Sequence, residues 1–149
     1  MMKKQLTNTV LMVRPVRFRM NEETVVNNYF QEEMDLKNEE INRQAQQEFD
    51  ALVHKLREVG VKVIVVDDIY EQNTPDSVFP NNWITFHQNG DVAIYPMFAE
   101  NRRRERREDI LDRVEAEGFA IENVYDYTEA EKENVFLEGT GAMILDRVN

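Results

Sequence analysis

No cysteine occurs anywhere in the 149 residues. The chain by itself therefore offers no disulfide framework, no thiolate zinc site and no cysteine nucleophile. Basic residues are also short, with 18 Lys and Arg against 29 Asp and Glu and a net charge of −11. A chain that acidic repels phosphate backbones, which excludes a nucleic-acid partner. The one basic run, Arg102-Arg103-Arg104 with Arg106 and Arg107, is interrupted by Glu105 and followed by Glu108 and Asp109. It reads as a solvated helix face. Long apolar runs are missing as well. The stretch over residues 61–66 falls far short of the roughly 20 residues that cross a bilayer. The basic start, Met1-Met2-Lys3-Lys4, leads into no signal-type apolar region. The expectation is a cytoplasmic protein with no membrane contact. Histidine is limited to His54 and His87. His54 falls at the edge of a helix's polar side and His87 closes a strand. The acidic pair Asp67-Asp68 has no close His partner, so no metal and no cofactor is expected.

What is present suits one domain of ordinary size, with 42% hydrophobic residues to build a core. Val10-Leu11-Met12-Val13 reads as a buried strand closed by Arg14-Pro15. Residues 18–38 are polar and irregular, with aromatics at Phe18, Tyr29 and Phe30. So long a connection has the character of a lid or binding loop. Ile41, Ala45, Phe49, Leu52, Val53, Leu56 and Val59 recur at three- and four-residue intervals and predict a helix stopped by Gly60. Val61-Lys62-Val63-Ile64-Val65-Val66 follows as a largely buried strand.

A turn at Asn73-Thr74-Pro75 then opens a second group. Trp83-Ile84-Thr85-Phe86 and Val92-Ala93-Ile94-Tyr95 predict a hairpin across Asn89-Gly90, whose residues suit positive φ. One helix is expected from about Asn101 to Glu117, then strands at residues 121–127, 135–138 and 142–145. The two groups look like repeats of one strand-and-helix module, which predicts α/β layering. The chain closes on Asp146-Arg147-Val148-Asn149 directly after an expected strand. That ending reads as a cut, with an open strand edge free to pair with another copy.

Two segments can carry chemistry. In Pro75-Asp76-Ser77-Val78-Phe79-Pro80-Asn81-Asn82-Trp83, two adjacent amides can bracket a planar group of N–H and C=O, or can simply cap a turn. In Phe136-Leu137-Glu138-Gly139-Thr140-Gly141-Ala142, a lone Glu beside a Gly-x-Gly bend can face a ligand, or can sit exposed on a tight turn. No Walker lysine accompanies those glycines, which argues against a phosphate loop.

These two segments, together with Met12-Val13-Arg14-Pro15 and the run from Tyr95 through Arg107, resemble the amidinotransferase superfamily. The branch they most resemble is that of the bacterial citrulline-utilisation hydrolases. The resemblance implies an α/β propeller. Residues 1–149 would form the N-terminal half of that domain, truncated at about half of a five-bladed ring of ββαβ modules. It also implies C–N hydrolysis of a ureido or guanidino amino acid through a covalent cysteine intermediate with a His acid/base, both outside this chain. Citrulline, giving ornithine, ammonia and CO2, is the favoured substrate, with arginine or methylarginine as alternatives.

By the same resemblance, Asp76 contacts the reactive end or the amino-acid portion of the substrate, and Glu138 faces guanidino nitrogens. Arg102 holds the substrate carboxylate, and Asn81 and Asn82 stand where methylarginine hydrolases carry two acids. Two amides suit a neutral ureido group, whose oxygen needs a donor. A carboxylate opposite that oxygen would cost about 1–3 kcal/mol when buried. The competing expectation is a non-catalytic chain that binds an amino acid or a partner.

Overall fold

The structure is a computed structural model that describes residues 6–24 and 37–146. Tyr29 and Phe30 of the expected lid, and the end of the chain at residues 147–149, lie outside the described residues.

Strand β1 (Thr9–Arg14), helix α1 (Asn38–Glu58) and strand β2 (Lys62–Asp67) come first, and the two strands pair in parallel with Val10 opposite Val63 and Val13 opposite Val66. Side chains alternate across a strand, so this register sorts the apolar run onto two faces. Val63 and Val65 join Val10, Met12, Phe49 and Val53 under α1, while Ile64 and Val66 join Leu11 and Val13 in the main core. Both faces are covered, which is why these strands read as continuous rather than alternating hydrophobics. Helix α1 ends as expected. Gly60 takes φ +85°, and the Val61 N–H reaches back to the Leu56 carbonyl.

The second group is strand β3 (Ile84–Phe86), strand β4 (Asp91–Ile94), helices α2 (Glu100–Arg103) and α3 (Glu108–Ala116), and strand β5 (Asn123–Asp126). β3 and β4 are antiparallel, and β5 lies parallel to β4 after the helical crossover. This group is a strand–strand–helix–strand unit. The main core of Val13, Ile64, Trp83, Ile84, Val92, Met97, Ile110 and Val114 draws on both sheets and on α3. The class is therefore mixed α/β, built on a two-stranded and a three-stranded sheet. Among the described residues no closed ring of strands forms, and no helix is long and apolar enough to cross a membrane.

Four expectations need correction. The hairpin turn uses one left-handed residue, Gly90 at φ +85°, with its N–H on the His87 carbonyl; Asn89 instead caps the Asp91 N–H with its side chain. The helix expected over residues 101–117 breaks at residues 104–107. Arg107 there is extended (φ −129°, ψ 126°), and its guanidinium donates to the Asp67 carbonyl. The basic run is not a solvated face: Arg102 is buried at 5% exposure, and Arg106 and Arg103 converge on Glu131. Residues 135–138 and 142–145 form no strands. Leu137 donates a single hydrogen bond to the Pro96 carbonyl, and α4 (Gly139–Ala142) occupies the Gly-x-Gly bend, so among the described residues no neighbouring strand supplies a ladder.

Candidate functional site

Pro80, Asn81 and Asn82 make one turn of 3₁₀-helix, with proline at its start, where an N–H would have no intrahelical partner. Helix α4 packs directly on this turn. Asn81 Nδ2 donates to Thr140 Oγ1 at 3.1 Å, and the Thr140 hydroxyl donates to the Asn81 carbonyl at 3.2 Å. A Cβ on Gly139 would overlap the Asn81 carbonyl oxygen and lie 2.9 Å from that of Asn82. A Cβ on Gly141 would overlap the Asn82 amide. The two glycines are thus where two site segments touch backbone to backbone. The Asn81 amide is half committed, with its NH2 on Thr140, and the amide oxygen is left over.

Arg102 sits beneath this contact. Its Nε donates to Glu105 Oε1 at 3.0 Å and its Nη2 to Glu105 Oε2 at 3.1 Å. Nη2 also donates to the Phe79 carbonyl at 3.3 Å. Nη1 lies 3.6 Å from Glu138 Oε2, a charge contact rather than a hydrogen bond. The guanidinium therefore ties the Asp76–Trp83 loop, the end of α2 and the Glu138 loop together. Burial works against the Arg102 charge, but Glu105, with Asp76 and Glu138, more than offsets it and holds the group firmly protonated. Burial pushes the Glu105 carboxyl up to about 7; the bonds and charge of Arg102 pull against that, while Asp76 and Asp68 add to it.

Asp76 is buried at 8% exposure. It accepts from Asn21 Nδ2 at 2.6 Å, and Asn21 exchanges side-chain hydrogen bonds with Asn101 at 3.2 and 2.7 Å. The neighbouring Ser77 hydroxyl is buried without a hydrogen-bond partner. Glu138 is more open, with a quarter of its side chain exposed and Oε1 taking the Phe98 N–H at 3.1 Å. It lines an open recess of about 370 Å³ with Phe98, Phe136, Gly141 and Ala142. The two phenylalanine rings meet edge to face there at 5.4 Å.

A second recess, lined by Phe49, Asp50, Val53, His54, Arg57 and Val65, is less apt, because its charged groups already have partners. Asp50 pairs with Arg14, His54 with Glu58, and Arg57 donates to the Val63 carbonyl. His54 is solvated, and His87 is a strand-end residue whose ring meets the Thr85 hydroxyl at 3.1 Å. Among the described residues no group of three or more His, Cys, Asp or Glu is placed to hold a metal ion.

Asp76, Asn81, Asn82, Arg102 and Glu138 thus fall on one connected set of contacts drawn from three separated segments. Asn21, Asn101 and Glu105 belong to the same set and were assigned no site role from the sequence, although Asn101 and Glu105 lie in the run that carries the resemblance. Each is a polar residue in a polar stretch, and its importance lies in a partner that folding brings to it.

An α/β chain that joins acids, amides and a buried arginine in one set of contacts fits the amidinotransferase superfamily, whose members modify guanidino groups. The family model of the eukaryotic N,N dimethylarginine dimethylhydrolases matches residues 14–149, and the chain belongs to that family. No curated protein and no solved structure matches it.

Proposed function

We propose that this chain supplies the substrate-holding part of a hydrolase that cleaves a non-peptide C–N bond of a ureido or guanidino amino acid. The attacking thiol comes from outside these residues, because no cysteine is present, and so does the His acid/base, since His54 pairs with Glu58 and His87 with Thr85, away from the Arg102 and Glu138 contacts. The single observation that carries the reading is the buried Arg102, which joins the loop of Asp76, Asn81 and Asn82 to Glu138, the one member of the set that lines the recess. The family match supports the same reaction class. The strand–strand–helix–strand unit is the module from which the proposed propeller half would be assembled.

Citrulline is the preferred substrate on the strength of the amide pair. A ureido oxygen needs a donor; with one Asn81 N–H on Thr140, its second N–H or the Asn82 amide can supply one where a carboxylate cannot. A second reading, methylarginine or arginine, is favoured by the family and by the excess of acid. Asp76, Glu105 and Glu138 surround a single arginine, and that imbalance attracts a cation. In either case the closed Arg102–Glu138 contact must open. An extended substrate separates its carboxylate from its guanidino or ureido carbon by roughly 7 Å at ordinary bond lengths. Two groups 3.6 Å apart cannot hold both ends at once.

Calorimetric titration of the chain with citrulline, arginine and N,N-dimethylarginine decides between the substrates. Citrulline should bind tightest, and Asn81→Asp or Asn82→Asp should shift the ratio towards the cations by roughly 5- to 150-fold. No ammonia should be released by the chain alone. Failure of all three ligands to bind would overturn the proposal.

A further inference from the structure

We propose that Glu105 is a positioning residue for the ligand carboxylate: it takes the Nε/Nη2 edge of Arg102 and leaves Nη1 as the only donor end turned towards the Glu138 recess. The inference rests on the proposed function, because it assumes a ligand carboxylate for Arg102 to meet.

A free arginine carries five donors and can present two different two-donor edges to a carboxylate. Here the choice has been made. The Nε/Nη2 edge is closed by both oxygens of Glu105 at 3.0 and 3.1 Å, and Nη2 spends its second hydrogen on the Phe79 carbonyl. Only the two hydrogens of Nη1 remain. The Glu105 side chain is 1% exposed and that of Arg102 is 6% exposed, so neither swings out into water without a large cost.

Glu105 is itself anchored, since it stands three residues after Arg102 and its N–H donates to the Arg102 carbonyl at 3.1 Å. Glu138, by contrast, is 26% exposed and held by one N–H, that of Phe98. When a ligand separates the Arg102–Glu138 contact, Glu138 is the partner free to move and Arg102 stays. A fixed guanidinium is what a carboxylate subsite requires, because the orientation is set before the ligand arrives. An acid that merely neutralised a buried arginine could do so from any side; two parallel hydrogen bonds fix its plane as well.

The proposal separates ligands by one group. Citrulline and arginine have an α-carboxylate, while carbamoylputrescine and agmatine are the same molecules without it. In the 149-residue chain, calorimetry should give a preference for each amino acid over its decarboxylated counterpart. Glu105→Gln, which keeps the shape and loses one acceptor and the charge, should lower that preference about tenfold while leaving the decarboxylated ligands nearly unchanged. Arg102→Lys should remove the preference altogether. A structural role for Glu105 would instead weaken all four ligands together.

If Arg102→Lys leaves the preference intact, the carboxylate role of Arg102 is wrong and the proposed function needs another anchor. If Arg102→Lys removes it but Glu105→Gln does not move it, the positioning role alone is overturned. The Nε–H resonance of Arg102 gives a reading independent of ligand. It should be sharp and slow to exchange in the wild type and broadened in Glu105→Gln. A fast-exchanging Arg102 Nε–H in the wild type would overturn the fixed fork even if the ligands bind.

Discussion

Replacing Gly139 by alanine tests whether the contact between α4 and the asparagine turn holds the site together. Gly139 has φ +42°, in the left-handed region where a Cβ costs roughly 1–2 kcal/mol. A Cβ there would also overlap the Asn81 carbonyl oxygen, lie 2.9 Å from the Asn82 carbonyl oxygen and press on the Tyr95 ring at 3.1 Å. Two of those three atoms are backbone and cannot rotate away, so the turn itself must shift. Overpacking of this kind costs about 1–3 kcal/mol more, for a total of roughly 2–5 kcal/mol.

Gly118 provides the control. It also has a positive φ, +95°, but nothing lies within 4 Å of the Cβ position, so Gly118→Ala should cost only the conformational part. In a domain of this size each kcal/mol moves Tm by about 3 °C. Thermal unfolding followed by circular dichroism should therefore show a fall of roughly 6–15 °C for Gly139→Ala and about 3–6 °C for Gly118→Ala. Titration with citrulline should show Gly139→Ala weakened and Gly118→Ala unchanged. Equal losses of Tm in the two variants would refute the argument that the Asn81 and Asn82 backbone fills this space.

Glu105 should make stability fall with rising pH. Its folded value of about 7 lies above its ordinary 4.5, so between those limits the folded state keeps a proton that the unfolded chain has lost. The loss accumulates across that window and levels off above it. Urea midpoints at pH 5 and pH 7.5 should differ in the wild type and much less in Glu105→Gln; parallel profiles would rule the effect out. The open strand expected at residues 142–145 does not form, so that route to self-association is lost; the exposed edge is instead β5, where Val124 and Tyr125 are about half exposed, and pairing between copies is expected there. Sedimentation should show concentration-dependent dimers that Val124→Lys removes, and a wild type that stays monomeric at every concentration would count against it.

Local patterns made much of this architecture legible in advance. Three- and four-residue spacing set α1, Gly60 set its end, and unbroken apolar runs marked β1 and β2 as strands covered on both faces. Those features depend on neighbours a few residues away, so composition and period are enough to specify them. The motifs around Asp76, Asn81, Asn82, Arg102 and Glu138 stood out only through a family resemblance, since composition alone left the asparagines and Glu138 open between a ligand role and a turn and read the Arg102 run as a solvated face.

The tertiary structure decided the rest. It broke the expected helix at residues 104–107, where arginines find partners outside their own helix: Arg107 on the Asp67 carbonyl and Arg106 on Glu131. It turned residues 135–142 into a loop and a short helix, whose backbone makes no strand ladder with the described residues. It also joined Asn21 to Asn101 across 80 residues and so placed both beside Asp76. A charge or an amide has no period and no preferred separation along the chain. Its role is set by which groups share the same water-free space, and that is known only once the chain has folded.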